Sequence, residues 1–272
     1  MNKKVALITG ASSGIGFETA IALKNAGFTV YGAARRLDKM EELKLKGISV
    51  LSLDVTDDAS MKKCVSEIFE KEGQIDVLVN NAGYGSFGAV EDVPMSEARR
   101  QIEVNIFGLA RMTQLVLPIM RQQKSGKIVN ISSMGGKIWT PFGAWYHATK
   151  FAVEGFSDSL RLEVKPFGID VILIEPGGIK TDWGIIAAEH LVESSSQGAY
   201  AQAAQNGAEA LKKMYSGNGL TAASVIANCI VKAVQKRRPK TRYLLGYMAK
   251  PSVFMKNILG DKLYDKMIMK MF

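Results

Sequence analysis

A short apolar run, Val5-Ala6-Leu7-Ile8-Thr9, passes without a linker into Gly10-Ala11-Ser12-Ser13-Gly14-Ile15-Gly16, and a stretch with helical spacing begins at once. A strand that turns on glycine straight into a helix is the opening unit of a parallel βαβ layer. Gly10 lets the chain leave the strand sharply. Gly14 has no side chain to keep a phosphate from the backbone, and Gly16 lets the helix lie close to the sheet. The helix N-terminus then offers free N–H groups and a positive dipole end, which suits the pyrophosphate of a dinucleotide. No Gly-Lys-Ser/Thr follows, so the turn is not a P-loop, and its spacing differs from the plain G-x-G-x-x-G form.

The rest of the chain repeats the unit. Runs at 5–9, 29–33, 49–53, 76–80, 127–131, 170–174 and 242–246 read as strands, and segments near 15–26, 38–46, 58–72, 96–123, 145–165 and 221–237 read as helices. The strand runs are continuously apolar, as strands covered on both faces must be. Strand–helix alternation with right-handed crossovers predicts one α/β domain over residues 1–246, a doubly wound parallel sheet of seven strands flanked by helices. Residues 181–219 interrupt the rhythm with Gly, Ser, Ala and Gln and are expected to form a long loop acting as a lid or substrate loop. Residues 247–272 form a basic extension.

Composition excludes several alternatives. Of 272 residues 47% are apolar, enough for one buried core. The formal charge of +9 looks like a nucleic-acid signal until it is located: residues 232–272 hold 11 Lys and Arg against Asp261 and Asp265, and the remainder is neutral. A basic tail is a local surface property, so no nucleic-acid partner is expected. No apolar run reaches the roughly 18–20 residues of a membrane span, and the start lacks the apolar core and cleavage site of a signal peptide. Cys64 and Cys229 stand in no metal or redox spacing, and no His, Cys or carboxylate cluster predicts a metal. A cytoplasmic protein with reduced cysteines is expected.

Two further constellations carry chemistry. About 20 residues beyond the glycine turn, where an acid would bind the ribose 2′-OH of NAD and an arginine the 2′-phosphate of NADP, stand Arg35 and Arg36. The first acid, Asp38, comes two residues later and is expected to cap the next helix. This favours NADP(H) over NAD(H). Downstream, Tyr146 and Lys150 are four apart on a helix and project from one face. A tyrosine, with an ordinary pKa of about 10, becomes a usable acid–base near an ammonium, and a serine hydroxyl can hold the oxygen on which charge develops.

In order and spacing, Thr9-Gly10-x-x-x-Gly14-Ile15-Gly16, Asn80-Asn81-Ala82-Gly83, Asn105, Ser133, Tyr146-x-x-x-Lys150 and Pro176-Gly177 resemble the short-chain dehydrogenase/reductase family over about residues 4–246. The resemblance implies a Rossmann-type fold and a nicotinamide-dependent oxidoreductase acting on CH–OH groups. It implies Tyr146 as general acid in reduction and base in oxidation, Ser133 as the group orienting the carbonyl, and Lys150 as a ribose ligand that lowers the tyrosine pKa. Asn105 would hold a water in the proton relay. The implied cofactor-binding set is Thr9, Gly10, Ser12, Ser13, Gly14, Ile15, Gly16, Arg35, Arg36, Asp54, Val55, Asn81, Ala82, Gly83, Tyr146, Lys150, Pro176, Gly177, Ile179 and Thr181. A homodimer or homotetramer built from the helices around 96–123 and 145–165 is also implied.

The ending of the chain and the loop 84–92 resemble the 17β-hydroxysteroid and retinol dehydrogenase-like branch, which implies a lipophilic ketone or alcohol. Phe87, Trp139, Phe142, Trp145 and Trp183 fall in segments that this topology brings beside the nicotinamide, and they are expected to wall an apolar substrate pocket. Competing readings are an acyl-thioester ketoreductase, a non-catalytic NADP(H)-sensing interaction protein, and a sugar epimerase or dehydratase of the longer relatives. In the tail, Met255, Ile258, Leu259, Leu263, Met267 and Phe272 fall near helical spacing, with Lys262, Lys266 and Lys270 on another side. Packing on the domain or on a subunit is the favoured role of this amphipathic helix, ahead of attachment to anionic lipid.

Overall fold

The computed structural model describes residues 3–217 and 219–270. The opening apolar run forms β1 (Val5–Thr9), the central strand, and the glycine turn leads into α1 (Gly14–Asn25). There follow β2 (Thr29–Ala34), α2 (Glu41–Leu45), β3 (Ser49–Ser52), α3 (Asp58–Glu72), β4 (Val77–Asn80), α4 (Met95–Ile102), α5 (Leu109–Gln123), β5 (Gly126–Ile131), α6 (Ala144–Val164) and β6 (Ile169–Pro176). The chain ends through β7 (Ile179–Lys180), α7 (Trp183–Ser195), α8 (Ala201–Ser216), β8 (Thr221–Ala222), α9 (Ala223–Gln235), β9 (Arg242–Leu245) and α10 (Ala249–Ile268).

Seven strands form one parallel sheet in the order β3-β2-β1-β4-β5-β6-β9. Both faces are covered, and neighbouring residues of a strand serve opposite layers. Ala6 and Ile8 of β1 face Ala20 and Leu23 of α1 and Ile226 and Ile230 of α9. Val5 and Leu7 face Cys64 and Ile68 of α3, Met112 and Val116 of α5 and Leu160 of α6. This is why the strand runs are continuously apolar rather than alternating. β1 and β4 are the neighbours between which the winding reverses, so the crevice expected to take a ligand opens at their C-terminal ends.

Three expectations need correction. Residues 181–219 are not a loop but two helices, α7 and α8, which pack on each other through small residues: Ala187, Ala188, Ala204 and Ala208 are buried between them. Alanine is the strongest helix former, and its small side chain allows close approach, so a segment that lacks bulky apolar periodicity still folds as a hairpin. Asp38 does not cap through its side chain; it opens a short 3-10 turn, Asp38–Met40, ahead of α2. Helices α4 and α5 join through a π-helical turn at Glu103–Gly108 into one span, Met95–Gln123, long and apolar enough to cross a membrane by length and composition alone. Here it lies on the sheet, with Leu109, Met112, Val116 and Met120 buried.

Candidate active site

The glycine turn has the geometry its sequence requires. Gly10 and Gly14 take φ of 66° and 56°, the left-handed region that glycine adopts without strain. A Cβ on Gly16 would lie 2.4 Å from Asn81 Nδ2 and 2.5 Å from the Gly10 carbonyl oxygen, so only glycine fits. The turn is strapped to the end of β4. Asn81 Nδ2 donates to the carbonyls of Thr9 (3.0 Å) and Gly10 (3.1 Å), while Thr9 Oγ1 accepts from the backbone N–H groups of Asn81 and Ala82, both at 3.0 Å. From the far side Thr181 closes on the turn, its Cγ2 3.2 Å from where a Gly14 Cβ would stand. Ser12 and Ser13 sit at the mouth, ahead of α1. This concave, backbone-lined turn fits a dinucleotide pyrophosphate.

Beside it, Arg36 Nη2 donates to Ser12 Oγ at 3.3 Å, and both Arg35 and Arg36 are exposed. Asp54 Oδ1 accepts from the Thr56 N–H (3.0 Å) and hydroxyl (2.8 Å). Partial burial works against its ionisation, but these bonds, with Arg35 and Arg100 nearby, hold the carboxyl below its usual range. Val55 is buried against Gly108, whose missing Cβ leaves room for the Val55 carbonyl.

Tyr146 and Lys150 lie in the first two turns of α6, both buried. Lys150 Nζ stands 5.9 Å from the centre of the Tyr146 ring and donates to the Ile131 carbonyl at 2.9 Å, which ties it to the end of β5. Burial pulls its ammonium down to about 8, with Glu154 acting in the opposite sense. Ser133 Oγ accepts the Gly135 N–H at 3.0 Å and donates to the Pro176 carbonyl at 3.5 Å. Burial raises the Tyr146 phenol to about 12, and the nearby Ser133 hydroxyl opposes that rise. In the chain by itself burial thus outweighs the acidifying influence expected of Lys150.

Asn105 occupies the π-helical turn. Its Oδ1 accepts the Tyr84 N–H (3.0 Å), and its Nδ2 donates to the Tyr84 carbonyl (2.9 Å) and to Thr149 Oγ1 (3.1 Å). Gly83 is where a Cβ would press on Asn105 Oδ1 at 3.0 Å. Such turns recur at functional sites because they re-aim one side chain without breaking the helix.

The aromatic residues divide. Trp183, at the start of α7, has its ring centre 5.0 Å from that of Tyr146, and Phe87 lies 5.7 Å from Tyr146 and 5.8 Å from Trp183. Phe142 joins the same cluster. Trp139 does not. Its indole packs 5.4 Å from Tyr264 of α10 and donates from Nε1 to Asp265 at 2.9 Å, so it anchors the C-terminal helix rather than walling the pocket. Trp145 is half-buried, outside the cluster, with Nε1 shielded and unpaired among the described residues.

Several supporting residues carried no sequence signal. His147 Nε2 accepts the Thr140 N–H at 3.0 Å and Nδ1 meets the Gly135 carbonyl at 2.9 Å. These bonds fix the neutral tautomer with hydrogen on Nδ1, and burial lowers the ring's basicity. The side chain thus braces the segment between Ser133 and Tyr146. Tyr215 of α8 lies against Trp183, over Gly184. Behind Lys150, Glu154 accepts from Lys137 (2.9 Å) and Arg242 (3.1 Å), and Glu175 lies 3.2 Å from Arg242. Among the described residues no group of three or more His, Cys, Asp or Glu could hold a metal ion.

Comparisons with known proteins agree with this geometry. The profile of the short chain dehydrogenase family matches residues 4–190. A probable short-chain type dehydrogenase/reductase, VdlC, of Helicobacter pylori is 38% identical over 97% of this chain and 96% of its own length. An NADPH-dependent 3-dehydrocapnine reductase of Ornithobacterium rhinotracheale is 32% identical over 98% of this chain and 96% of its own length. The crystal structure of a short-chain dehydrogenase from Streptomyces avermitilis superposes with a TM-score of 0.81 at 34% identity, covering 95% of this chain and 93% of that one. The chain belongs to the short-chain dehydrogenase family and is a nicotinamide-dependent oxidoreductase acting on CH–OH and carbonyl groups.

Proposed function

We propose that the enzyme reduces bulky, lipophilic ketones with NADPH, and oxidises the corresponding secondary alcohols in reverse. The observation that carries this reading is the apolar wall around Tyr146: Phe87 and Trp183 pack against its ring, and Phe142 and Tyr215 belong to the same cluster. Burying apolar ligand surface there contributes about 25 cal/mol per Å², which favours a steroid-like or aromatic carbonyl over a sugar, a small hydroxy acid or an acyl thioester. The resemblance to the 17β-hydroxysteroid and retinol dehydrogenase-like branch supports the same class.

A nicotinamide held in this crevice would supply the hydride. Tyr146 donates the proton to the carbonyl oxygen, which Ser133 orients through its hydroxyl. Lys150 binds the nicotinamide ribose, and its positive charge makes the phenol a better acid. Asn105, tied to Tyr84 and Thr149, would hold a water in the proton relay. Arg35 and Arg36 receive the 2′-phosphate, and the NADPH-dependent relative is consistent with that preference. Exposed Phe107, Phe151 and Leu162, on or beside α5 and α6, support a homodimer or homotetramer through these helices. We place the enzyme in the cytoplasm, its two cysteines reduced. A panel of lipophilic and hydrophilic ketones with NADPH and NADH, followed by nicotinamide absorbance, tests the reading. Faster turnover of hydrophilic carbonyls would overturn it.

A further inference from the structure

The inner face of α10 is fully occupied. Tyr264 and Ile268 are buried against Ile138 and Trp139, the Tyr264 hydroxyl donates to the Trp139 carbonyl at 3.2 Å, and Lys256 Nζ lies 5.2 Å from the Trp139 ring centre. The outer face is different. Pro251, Phe254, Met255 and Ile258, at i, i+3, i+4 and i+7, form an exposed apolar stripe, with Phe254 62% and Ile258 64% exposed. Beyond a break at Gly260 (φ 65°), Leu263 and Met269 continue the exposure. Phe272 lies outside the described residues.

Charge accompanies the stripe. Lys250, Lys262, Lys266 and Lys270 are exposed and make no ion pair among the described residues, whereas both acids of the helix are engaged: Asp265 with Trp139, Asp261 with Lys256 at 3.8 Å. The apolar rim also continues toward the site. Tyr247 and Met248 are exposed at the foot of α10, and Tyr247 adjoins Lys213, Met214 and Leu220 at the end of the α7–α8 hairpin across a shallow groove. Tyr247 itself touches Gly178, next to the Pro176–Gly177 turn.

We propose that the outer face of α10 docks on an anionic phospholipid bilayer, with Phe254, Met255 and Ile258 entering the acyl boundary and the lysines meeting headgroup phosphates. An amphipathic helix with a basic polar side binds such a surface in its plane, and the negative leaflet supplies the charge complement that the otherwise neutral molecule lacks. A second copy of the chain is the poorer occupant. A two-fold contact of this face with itself would set lysines against lysines. Docking on this side brings the hairpin end beside the lipid surface, which gives an apolar substrate a short path to the crevice. The inference stands apart from the substrate reading, since it concerns adhesion and not turnover.

The test is co-sedimentation of the full chain with vesicles of phosphatidylglycerol and phosphatidylcholine, against phosphatidylcholine alone. The anionic vesicles should bind at least tenfold more protein, less so near 1 M salt, where the screening length falls to about 3 Å. The double variant Phe254→Asp/Ile258→Asp should lose this binding while keeping wild-type turnover of a water-soluble ketone and wild-type native mass. Should that variant misfold, Lys250→Glu/Lys262→Glu/Lys266→Glu must show the same loss. Equal binding to both vesicle types, binding that survives both sets of substitutions, or a fall in native mass on substituting Phe254 (the mark of a second copy on this face) would each overturn the proposal.

Discussion

The indole of Trp183 covers the phenol of Tyr146, ring centre to ring centre 5.0 Å at 53°, and Phe87 flanks both. The first helix of the hairpin thus sets an aromatic lid directly on the proposed proton donor. Its seat depends on Gly85, where a Cβ would come within 2.4 Å of Trp183 Cζ2. Gly85→Ala must displace the indole. The expected result is a several-fold rise in KM for lipophilic ketones with little change in KM for NADPH, because the glycine turn is untouched. Steady-state kinetics on the two substrates separates these, and an unchanged ketone KM would remove Trp183 from the pocket.

Tyr146→Phe keeps the ring and its packing but removes the proton. General acid–base groups contribute about 10²–10⁴-fold, so turnover should fall by that much, while NADPH binding, measured by fluorescence titration, stays near wild type. A variant retaining more than about a tenth of wild-type turnover would show that another group donates.

Lys150 separates two roles that the geometry combines. Its Nζ holds the Ile131 carbonyl at 2.9 Å, and its charge lies 5.9 Å from the Tyr146 ring. If the charge acidifies the phenol, Lys150→Met should move the rising limb of alcohol oxidation to higher pH, because burial alone leaves the phenol near 12. A limb that stays in place, with only cofactor affinity reduced, would confine Lys150 to binding.

The carboxyl pair behind the site makes stability depend on pH. Burial, then the charge of Glu154, raises Glu175 above its ordinary 4.5, against the pull of Lys137 and Arg242. A group that holds its proton more tightly when folded favours the folded state at low pH, and the unfolded chain binds fewer protons as pH rises past 4.5. The contribution of Glu175 therefore falls as pH increases through the mildly acidic range. Glu175→Gln should flatten that part of a denaturant-midpoint profile; an unaltered slope would place its origin elsewhere.

Much of this is legible in the sequence. Continuous apolar runs mark the strands because helices cover both faces of the sheet, the five central strands being buried and the edge strands β3 and β9 half-buried. The glycines at 10, 14 and 16 are required by backbone geometry that few other residues meet. Legibility failed where small residues or long-range partners decide. The α7–α8 hairpin reads as a loop because its interface is mostly alanine and glycine, with Leu191 and Leu211 as its large side chains, and small residues carry little periodic signal. Trp139 sits near Tyr146 in sequence, yet its partners Tyr264 and Asp265 lie 125 and 126 residues away. The Lys137–Glu154–Glu175–Arg242 cluster draws on four separate segments, and single charged residues in a sequence give no sign of the partners they will meet.

Cofactor choice rests on the exposed pair beyond β2. Arg36 already reaches the glycine turn through Ser12 at 3.3 Å, and Arg35 lies near enough to Asp54 to lower its pKa, so a 2′-phosphate between the two arginines would meet two guanidiniums. A hydrogen bond to a charged group contributes about 1.5–3 kcal/mol, roughly a 10–150-fold change in affinity. Arg35→Ala and Arg36→Ala should each raise KM for NADPH by at least the lower figure, and the double variant should add to it, since both charges act on one phosphate. NADH lacks that phosphate, so its KM should stay within about twofold while the preference narrows or inverts. Equal losses with the two cofactors, or a wild-type enzyme that favours NADH, would reduce both arginines to solvated loop residues.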